Sequence, residues 1–263
     1  MPRRSLHFLL PAGAGALFIA VWYAVHFGLS EDLRFLLPTP AAILVALQEN
    51  SAALGRATLN TTIGALLGFA LAAFISTGFA LLLSLSSLVR ASLYPYLMAL
   101  QMTPVIVVAP ILVLWVGAGI KSVVVITFLI CFFPIVVNAT QGLISTDRNL
   151  VELFKMWRTT RTQQLFHLRV PGALPYFFTG LRIAATLAPI GALVGDYTAG
   201  SSAGDGGGLG FQAVIYSSQA KYPALFATAA VTCLLGFIFV AIVVGLSSLT
   251  LRHWHESFER RDA

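Results

Sequence analysis

Charged residues are scarce in this chain, and their scarcity argues against the commonest class of proteins. Asp, Glu, Lys and Arg make up only 10% of the 263 residues, whereas 58% are hydrophobic. Soluble domains carry about a quarter charged residues, so a water-soluble fold is disfavoured. Cysteine is nearly absent as well. Cys131 and Cys233 lie inside apolar stretches, where neither a disulfide framework nor a metal cluster is indicated.

Motifs for nucleotide hydrolysis and nucleic-acid binding are also missing. No Gly-x-x-x-x-Gly-Lys-Ser/Thr sequence occurs, so the chain is not expected to hydrolyse ATP by itself. The Gly-rich run AGSSAGDGGGL at 199–209 follows no predicted strand, and we interpret it as a hinge or re-entrant turn rather than a phosphate loop. The net charge of +6 comes without a basic run interleaved with aromatics, which argues against nucleic-acid binding.

Apolar stretches of about 20 residues recur along the chain, which predicts an all-α polytopic membrane protein. In lipid each span must be helical, because its backbone groups have no water to pair with. The first stretch resembles a signal peptide, but its length and the lack of a convincing cleavage site favour an uncleaved anchor. Hydropathy predicts six transmembrane helices, at 9–29, 60–83, 93–116, 120–141, 176–197 and 223–249.

The distribution of Lys and Arg predicts the orientation of these helices. Eleven basic residues flank the spans on the side of the N-terminus, and four lie on the opposite side: Arg34, Arg56, Lys121 and Lys221. Because cytoplasmic loops carry the excess of basic residues, both termini are predicted to be cytoplasmic. Arg182, in the first turns of the fifth span, is expected to extend its side chain back to that side.

The predicted spans divide the chain into three parts. Residues 1–59 form an N-terminal anchor and a periplasmic connector, 60–250 the core transmembrane domain, and 251–263 a cytoplasmic tail. In the connector, the prolines of LPTPAAIL force a turn, and Thr39 is placed to cap a helix that lies on the membrane surface. That helix is expected to cover the outer rim of the bundle rather than to contact solute.

A charged amphipathic segment, NLVELFKMWRTTRTQQLFHLRVPGALP, follows the fourth span. Asp147 and the two residues before it offer acceptors for a helix start, and the spacing of Thr160 and Gln163 predicts a capping box for a second short helix. Pro171 and Pro175 are expected to end that helix and to begin the fifth span. The pattern alone leaves two interpretations open. The helices float among lipid headgroups, or their aromatic residues insert into a groove of another protein.

This segment resembles the cytoplasmic loop of ABC importer permeases, whose pattern is Glu-Ala-Ala, three residues, Gly, then Ile-x-Leu-Pro. Glu152 falls on the Glu, and HLRVPGALPYFFTGLRIA is similar to the remainder. LPTPAAIL, TPVIVVAPILVLWVGAG and FFPIVVNATQGL occur in the order of the nitrate, sulfonate and bicarbonate (taurine) branch of this family. The resemblance therefore covers 36–249.

The chain departs from the family's loop pattern at three positions. Leu153 and Phe154 replace the two alanines, and Arg158 occupies the position of the Gly. If the Gly serves a sharp turn with positive φ, an Arg there destabilises the turn by about 1 kcal/mol. Either the turn is built differently, around Thr159 and Thr160, or Arg158 contacts the partner directly.

The resemblance implies the type I ABC importer permease fold, with six transmembrane helices, in a bacterial inner membrane. It also implies a homodimer in membrane lipid, flanked by a cytoplasmic ATP-binding cassette ATPase dimer and served by an extracytoplasmic solute-binding protein. The coupling loop, 145–171, would occupy a cleft of the ATPase and pass its closure to the spans. The predicted contacts are Glu152, Phe154, Arg158, Arg161 and Phe166.

The resemblance leaves the solute open among nitrate, sulfonates such as taurine, bicarbonate and pyrimidine vitamin precursors. Gln101, Met102 and Thr103 interrupt the third span and are predicted to line the pathway, although packing is the commoner role for such residues. Asp196, near the outer end of the fifth span, is the other candidate, because buried ionisable groups in membranes are usually functional. It could equally reach water or pair with Lys221. No cofactor or metal is predicted.

Two other classes of function require features that the sequence does not display. An ion-coupled secondary carrier would need paired carboxylates at the midplane or an inverted repeat. A membrane-embedded enzyme would need a cluster of His, Asp or Cys, but the five His are scattered over both faces. HWHE at 253–256 has metal-binding donors, but a tail whose side chains reach the headgroups is the simpler interpretation.

Overall fold

The computed structural model describes residues 3–200 and 207–251, which form helices joined by short connections. No strand occurs in these two ranges, so the prediction of an all-α fold is confirmed. A 3₁₀-helix at Glu31–Leu36 precedes the second helix, and a π-helical turn at Leu165–Arg169 joins the eighth to the ninth. The α-helices are α1 (Arg3–Gly28), α2 (Pro40–Glu49), α3 (Ser51–Leu85), α4 (Ser87–Gln101), α5 (Val105–Val116), α6 (Ile120–Ile144), α7 (Arg148–Met156), α8 (Arg161–Gln164), α9 (Val170–Ala199), α10 (Leu209–Ser218) and α11 (Tyr222–Leu251).

Side-chain caps mark the connections between several helices. Thr39 Oγ1 accepts a hydrogen bond from the Ala42 amide at 3.2 Å, and Pro40 occupies the first turn of α2, so the predicted connector helix is confirmed. Between α3 and α4 lies Ser86, which has an extended backbone and whose hydroxyl accepts from the Val89 amide at 3.4 Å. Each cap pairs an amide that the first turn of a helix would otherwise leave without a partner.

Helix α6 lies at the centre of the bundle, between α3 and α9. The face of α3 that packs into this core carries a small residue at every fourth position, which is about one helical turn. Helices in lipid associate through close packing rather than through a hydrophobic driving force, so small residues let two backbones approach. The buried small residues of this face are Gly64, Gly68, Ala72, Ser76 and Ala80.

Helix α9 approaches α6 just as closely. A Cβ added at Gly195 would lie 2.7 Å from Val123 Cα, and one added at Gly191 would lie 2.9 Å from Thr127 Cα. These neighbours are backbone atoms, which cannot rotate away as a flexible side chain would. The two helices are therefore held in one register, with room only for glycine at these positions.

Four helical stretches are long and apolar enough to cross a membrane: Ser51–Leu85, Ile120–Ile144, Arg161–Ala199 and Tyr222–Thr250. The predicted third span is broken, because α4 and α5 are bent by 97° and count as a fifth span only when taken together. The apolar part described for α1, Gly13–Gly28, is shorter than a span. The structure thus supports four or five spans, and the predicted count of six is not confirmed.

The prediction that Pro171 and Pro175 end the second loop helix is wrong. Helix α8 passes through the π-turn into α9, so one helical path of 39 residues runs over Arg161–Ala199. In the π-turn the Val170 amide bonds to the carbonyl of Leu165, five residues back. Pro171 then falls in the first turn of α9, where a missing amide hydrogen is tolerated.

Arg182 makes a contact between two helices that the sequence did not predict. Its Nε and Nη2 donate to Ser247 Oγ at 3.0 and 2.7 Å. Ser247 is buried on α11, so the guanidinium of the exposed Arg182 joins α9 to α11.

Two predicted segments lie largely outside the described residues. One is the hinge in the Gly-rich run, of which 201–206 are not described. The other is the cytoplasmic tail, whose residues 252–263 include the HWHE sequence.

Candidate functional site

The polar loop after α6 is built from two capped helices. Asp147 Oδ1 accepts from the Asn149 amide at 2.8 Å and begins α7, as predicted. The predicted capping box is also confirmed: the Thr160 amide donates to Gln163 Oε1 at 2.8 Å, and the Gln163 amide donates to Thr160 Oγ1 at 3.3 Å. The loop therefore has a defined conformation, which a docking element requires.

The turn between α7 and α8 is built around Arg158. Its φ is +50°, in the left-handed region that glycine normally occupies. The Thr159 amide donates to the carbonyl of Phe154 at 3.3 Å, and the Arg158 amide donates to that of Lys155 at 2.9 Å. These two bonds are those of a Schellman motif, which normally has Gly at the left-handed position. The turn therefore keeps the geometry that favours glycine, although the residue is Arg.

We expect Arg158→Gly to stabilise the loop by about 1 kcal/mol, because it removes the left-handed strain of a residue with a Cβ. The measurement is the thermal unfolding of the purified permease, with Arg158→Ala as the control that keeps the strain and loses the charge. ATPase coupling of the assembled transporter reports separately on the charge of Arg158, which both variants remove. If coupling falls in both variants, the guanidinium itself contacts the partner.

Most of the predicted coupling side chains are accessible. Glu152, Arg158 and Arg161 are exposed, Phe166 is 62% exposed, and Phe154 is half-buried. The structure adds two neighbours that the sequence reasoning missed, Met156 and Trp157, which are 80% and 79% exposed. The signal for this surface in the sequence is a Trp in a charged stretch, directly before the position where the family pattern has Gly.

The predicted pathway residues of the third span lie at the bend between α4 and α5. Gln101 ends α4, and Met102 and Thr103 follow it between the two helices. All three are exposed, so the bend presents them outward from this chain instead of packing them in its core.

Asp196 lies elsewhere, in a buried group of hydrogen bonds between α3, α9 and α10. It is only 3% exposed, and Thr61 Oγ1 on α3 donates to its Oδ2 at 2.6 Å. The Gly210 amide also donates to the carboxylate, and the Leu209 amide donates to Thr61 Oγ1 at 2.8 Å. In the described ranges no ion pair joins Asp196 to Lys221. The carboxylate and Thr61 therefore hold the first turn of α10 against the core.

Two glycines make room for this arrangement. A Cβ on Gly210 would lie 2.9 Å from the Cβ of Asp196, and one on Gly208 would collide with the carboxylate itself. At the far end of α10, Tyr216 Oη donates to Asn50 Oδ1 at 3.3 Å. Burial raises the pKa of the Tyr216 phenol above its ordinary value, so it stays a neutral donor. Helix α10 is thus attached at both ends.

We expect Thr61→Val to destabilise the permease by about 1–3 kcal/mol, because the variant leaves the buried Asp196 carboxylate without its side-chain donor. Thr61→Ser keeps the hydroxyl and is the matched control. Thermal unfolding in detergent compares the two variants. Equal unfolding temperatures for the valine and serine variants would show that the hydrogen bond has no role in stability.

These features define a class of protein. Several apolar helices of membrane-crossing length pack through small residues, and one of them runs on into a capped polar loop with exposed apolar side chains. The molecule is a multi-pass membrane protein whose loop presents a surface suited to a protein partner.

Comparison with known proteins gives the family. Residues 64–261 match the family described as "Binding-protein-dependent transport system inner membrane component". The chain is 38% identical over 218 residues to the formylaminopyrimidine transport permease protein ThiX of Halalkalibacterium halodurans, covering 82% of this chain and 85% of that protein. It is 32% identical over 241 residues to the riboflavin transport system permease protein RibX of Chloroflexus aurantiacus, covering 91% and 88%.

A solved structure of an amino acid ABC transporter shares the fold, with a TM-score of 0.61 at 15% identity over 80% of this chain and 97% of that chain. The chain therefore belongs to the family of binding-protein-dependent transport system inner membrane components. It is an importer permease subunit of an ABC transporter for a small solute, as its loop predicted. These comparisons give no support to the alternative of an ion-coupled secondary carrier.

Proposed function

We propose that this chain works as a homodimer in a bacterial inner membrane, with six transmembrane helices in the type I importer arrangement and both termini in the cytoplasm. A cytoplasmic ATPase dimer drives it, and an extracytoplasmic binding protein delivers the solute. The family and the excess of basic residues on the loop side support this assembly.

The continuity of the helix over Arg161–Ala199 is the observation that carries the proposed coupling mechanism. The α7–α8 loop docks on the ATPase through Phe154 and Phe166, with Glu152, Arg158 and Arg161 as polar contacts. ATP-driven closure moves the loop, and a helix without a break transmits that movement to the core as a rigid-body displacement. Close packing of α9 against α6 then moves both helices together.

The bend between α4 and α5 is the proposed pathway segment. Gln101, Met102 and Thr103 are exposed on a single chain, so a second permease copy can enclose them in a channel between the two subunits. Asp196 has a structural role, because its hydrogen bonds hold α10 against the outer end of the core.

The solute is a small polar molecule, in keeping with relatives named for formylaminopyrimidine, riboflavin, aliphatic sulfonates, nitrate, bicarbonate and taurine. The test is ATP-dependent uptake into liposomes containing the permease, the ATPase and the binding protein, with radiolabelled taurine, nitrate and formylaminopyrimidine compared. Uptake of one solute that requires both ATP and the binding protein supports the proposal. Uptake that follows an ion gradient without ATP would contradict it.

A further inference from the structure

An open cavity of about 420 Å³ lies at the loop end of the bundle, between the start of α4 and the last turns of α6. Its polar lining comes from both helices, and none of its lining residues belongs to the coupling loop or to the bend. The side chains that matter here are Ser87, Arg90 and Tyr94 on α4, and Thr140 and Gln141 on α6.

Thr140 is the first sign that the cavity is a built site. It lines the cavity, is only 1% exposed, and its hydroxyl has no hydrogen-bond partner among the described residues. Threonines on other helices of the bundle donate to the carbonyl four residues back, as Thr62 and Thr228 do at 2.6 and 2.8 Å. A buried hydroxyl without a partner is unfavourable, so the site has an unused donor and acceptor.

The charge of the cavity indicates the chemistry of its ligand. The guanidinium of Arg90 makes one long hydrogen bond, from Nη1 to the Leu83 carbonyl at 3.4 Å. Most of its five N–H donors thus remain available. Among the residues that the structure describes, no Asp or Glu lines the cavity and no acidic side chain pairs with Arg90.

The backbone adds to this preference. The cavity faces the first two turns of α4, which begins at Ser87, and the N-terminus of a helix carries partial positive charge. The guanidinium of Arg90, the hydroxyl of Thr140 and the side-chain amide of Gln141 together suit an oxyanion, such as a carboxylate or sulfonate. Pro95 and Ile144 supply an apolar wall for a short hydrocarbon body.

We propose that this cavity binds the oxyanion group of a small solute, with Arg90 as the charged partner and Thr140 as a hydrogen-bonding partner. The site lies near the loop end of the pathway, so the inference deepens the proposed transport function and rests on it. Acidic phospholipids carry a similar oxyanion, and the test therefore separates the two sources.

The experiment uses permease–ATPase complex in phosphatidylcholine nanodiscs and ligand-observed NMR. The probes are methanesulfonate and dimethyl sulfone, which have similar shapes but differ in charge. We expect the complex to bind methanesulfonate and not dimethyl sulfone. Arg90→Gln should abolish the binding. Thr140→Val should weaken it about tenfold, the factor typical of a hydrogen bond to a charged group.

Thr127→Val is the matched control. Thr127 lies on the same helix, is fully buried and also has an unpartnered hydroxyl, but it packs against Gly68 and Gly191 and does not line the cavity. The control variant should bind methanesulfonate as the wild type does. Neither valine should lower the unfolding temperature, because neither hydroxyl has a partner to lose.

Equal binding by the Thr140 and Thr127 variants would overturn the proposal, as would methanesulfonate binding that survives Arg90→Gln. A second set of nanodiscs contains phosphatidylglycerol. If methanesulfonate does not bind and phosphatidylglycerol alone stabilises the complex, the cavity binds lipid and the proposal is overturned too. The amount of ATPase retained by the same preparation reports separately on the proposed function. If the permease keeps its ATPase subunit but does not bind methanesulfonate, only the proposed cavity site is contradicted.

Discussion

Replacing Trp157 and Phe166 together with alanine should detach the ATPase from the permease and stop ATP-driven uptake. Trp157 lies beside Arg158 in the turn, and Phe166 lies in the π-helical turn after α8; both side chains are well exposed, although each has a large apolar surface. Large aromatic side chains are the usual anchors of protein interfaces, and losing one typically costs about 2–4 kcal/mol of binding. Two such losses correspond to a decrease in affinity of about 10³-fold or more.

The measurement is co-purification of the ATPase with tagged permease, followed by ATPase activity in the presence of the loaded binding protein. Phe74→Ala is the matched control, because Phe74 is 78% exposed but lies on the membrane-crossing helix α3. The control should retain its ATPase. A double variant that retains it equally well would place the docking surface elsewhere.

Gly195→Val should prevent the bundle from forming. A Cβ at this position would lie 2.7 Å from the backbone of α6 at Val123, and valine adds two further methyl groups. Ordinary overpacking of a core destabilises by about 1–3 kcal/mol. At Gly195 the obstruction is the backbone of α6, so the α6–α9 contact must open. The loss of folding free energy should therefore exceed that range.

The measurement is the yield of monodisperse permease from membranes and its unfolding temperature. Gly236→Val on α11 is the control, because a Cβ there meets no atom within 4 Å. Normal yield is expected for the control and aggregated or degraded protein for Gly195→Val. A well-folded Gly195 variant would mean that α6 and α9 are not packed as described.

The sequence predicted the features of this molecule that depend on local chemistry. Apolar length located the four helices that are long enough to cross a membrane, because a helix pairs all of its own backbone groups in lipid. Thr39, Asp147 and the Thr160–Gln163 pair were identified as caps because each contacts amides within three residues of itself in the chain. The family followed from ordered motifs, and above all from the loop around Glu152.

Features that depend on contacts between distant residues were not predicted. The hydrogen bond from Thr61 to Asp196 joins residues 135 positions apart, and no local pattern indicates it. Gln101, Met102 and Thr103 indicate an interruption of the third span, but the 97° bend does not follow from hydropathy, which measures composition and not direction. The prolines after Arg169 suggest a helix end, but Pro171 falls in the first turn of α9, just after the π-turn, and Pro175 lies inside α9.

The central claim, that the loop between α6 and α9 contacts the ATPase, is tested most directly by photo-crosslinking in the assembled transporter. Benzoylphenylalanine placed at 157 should crosslink to the ATPase subunit, and the same group placed at 74 should crosslink to lipid or to nothing. Crosslinks from 157 to lipid alone, in a transporter that hydrolyses ATP in response to solute, would contradict the claim.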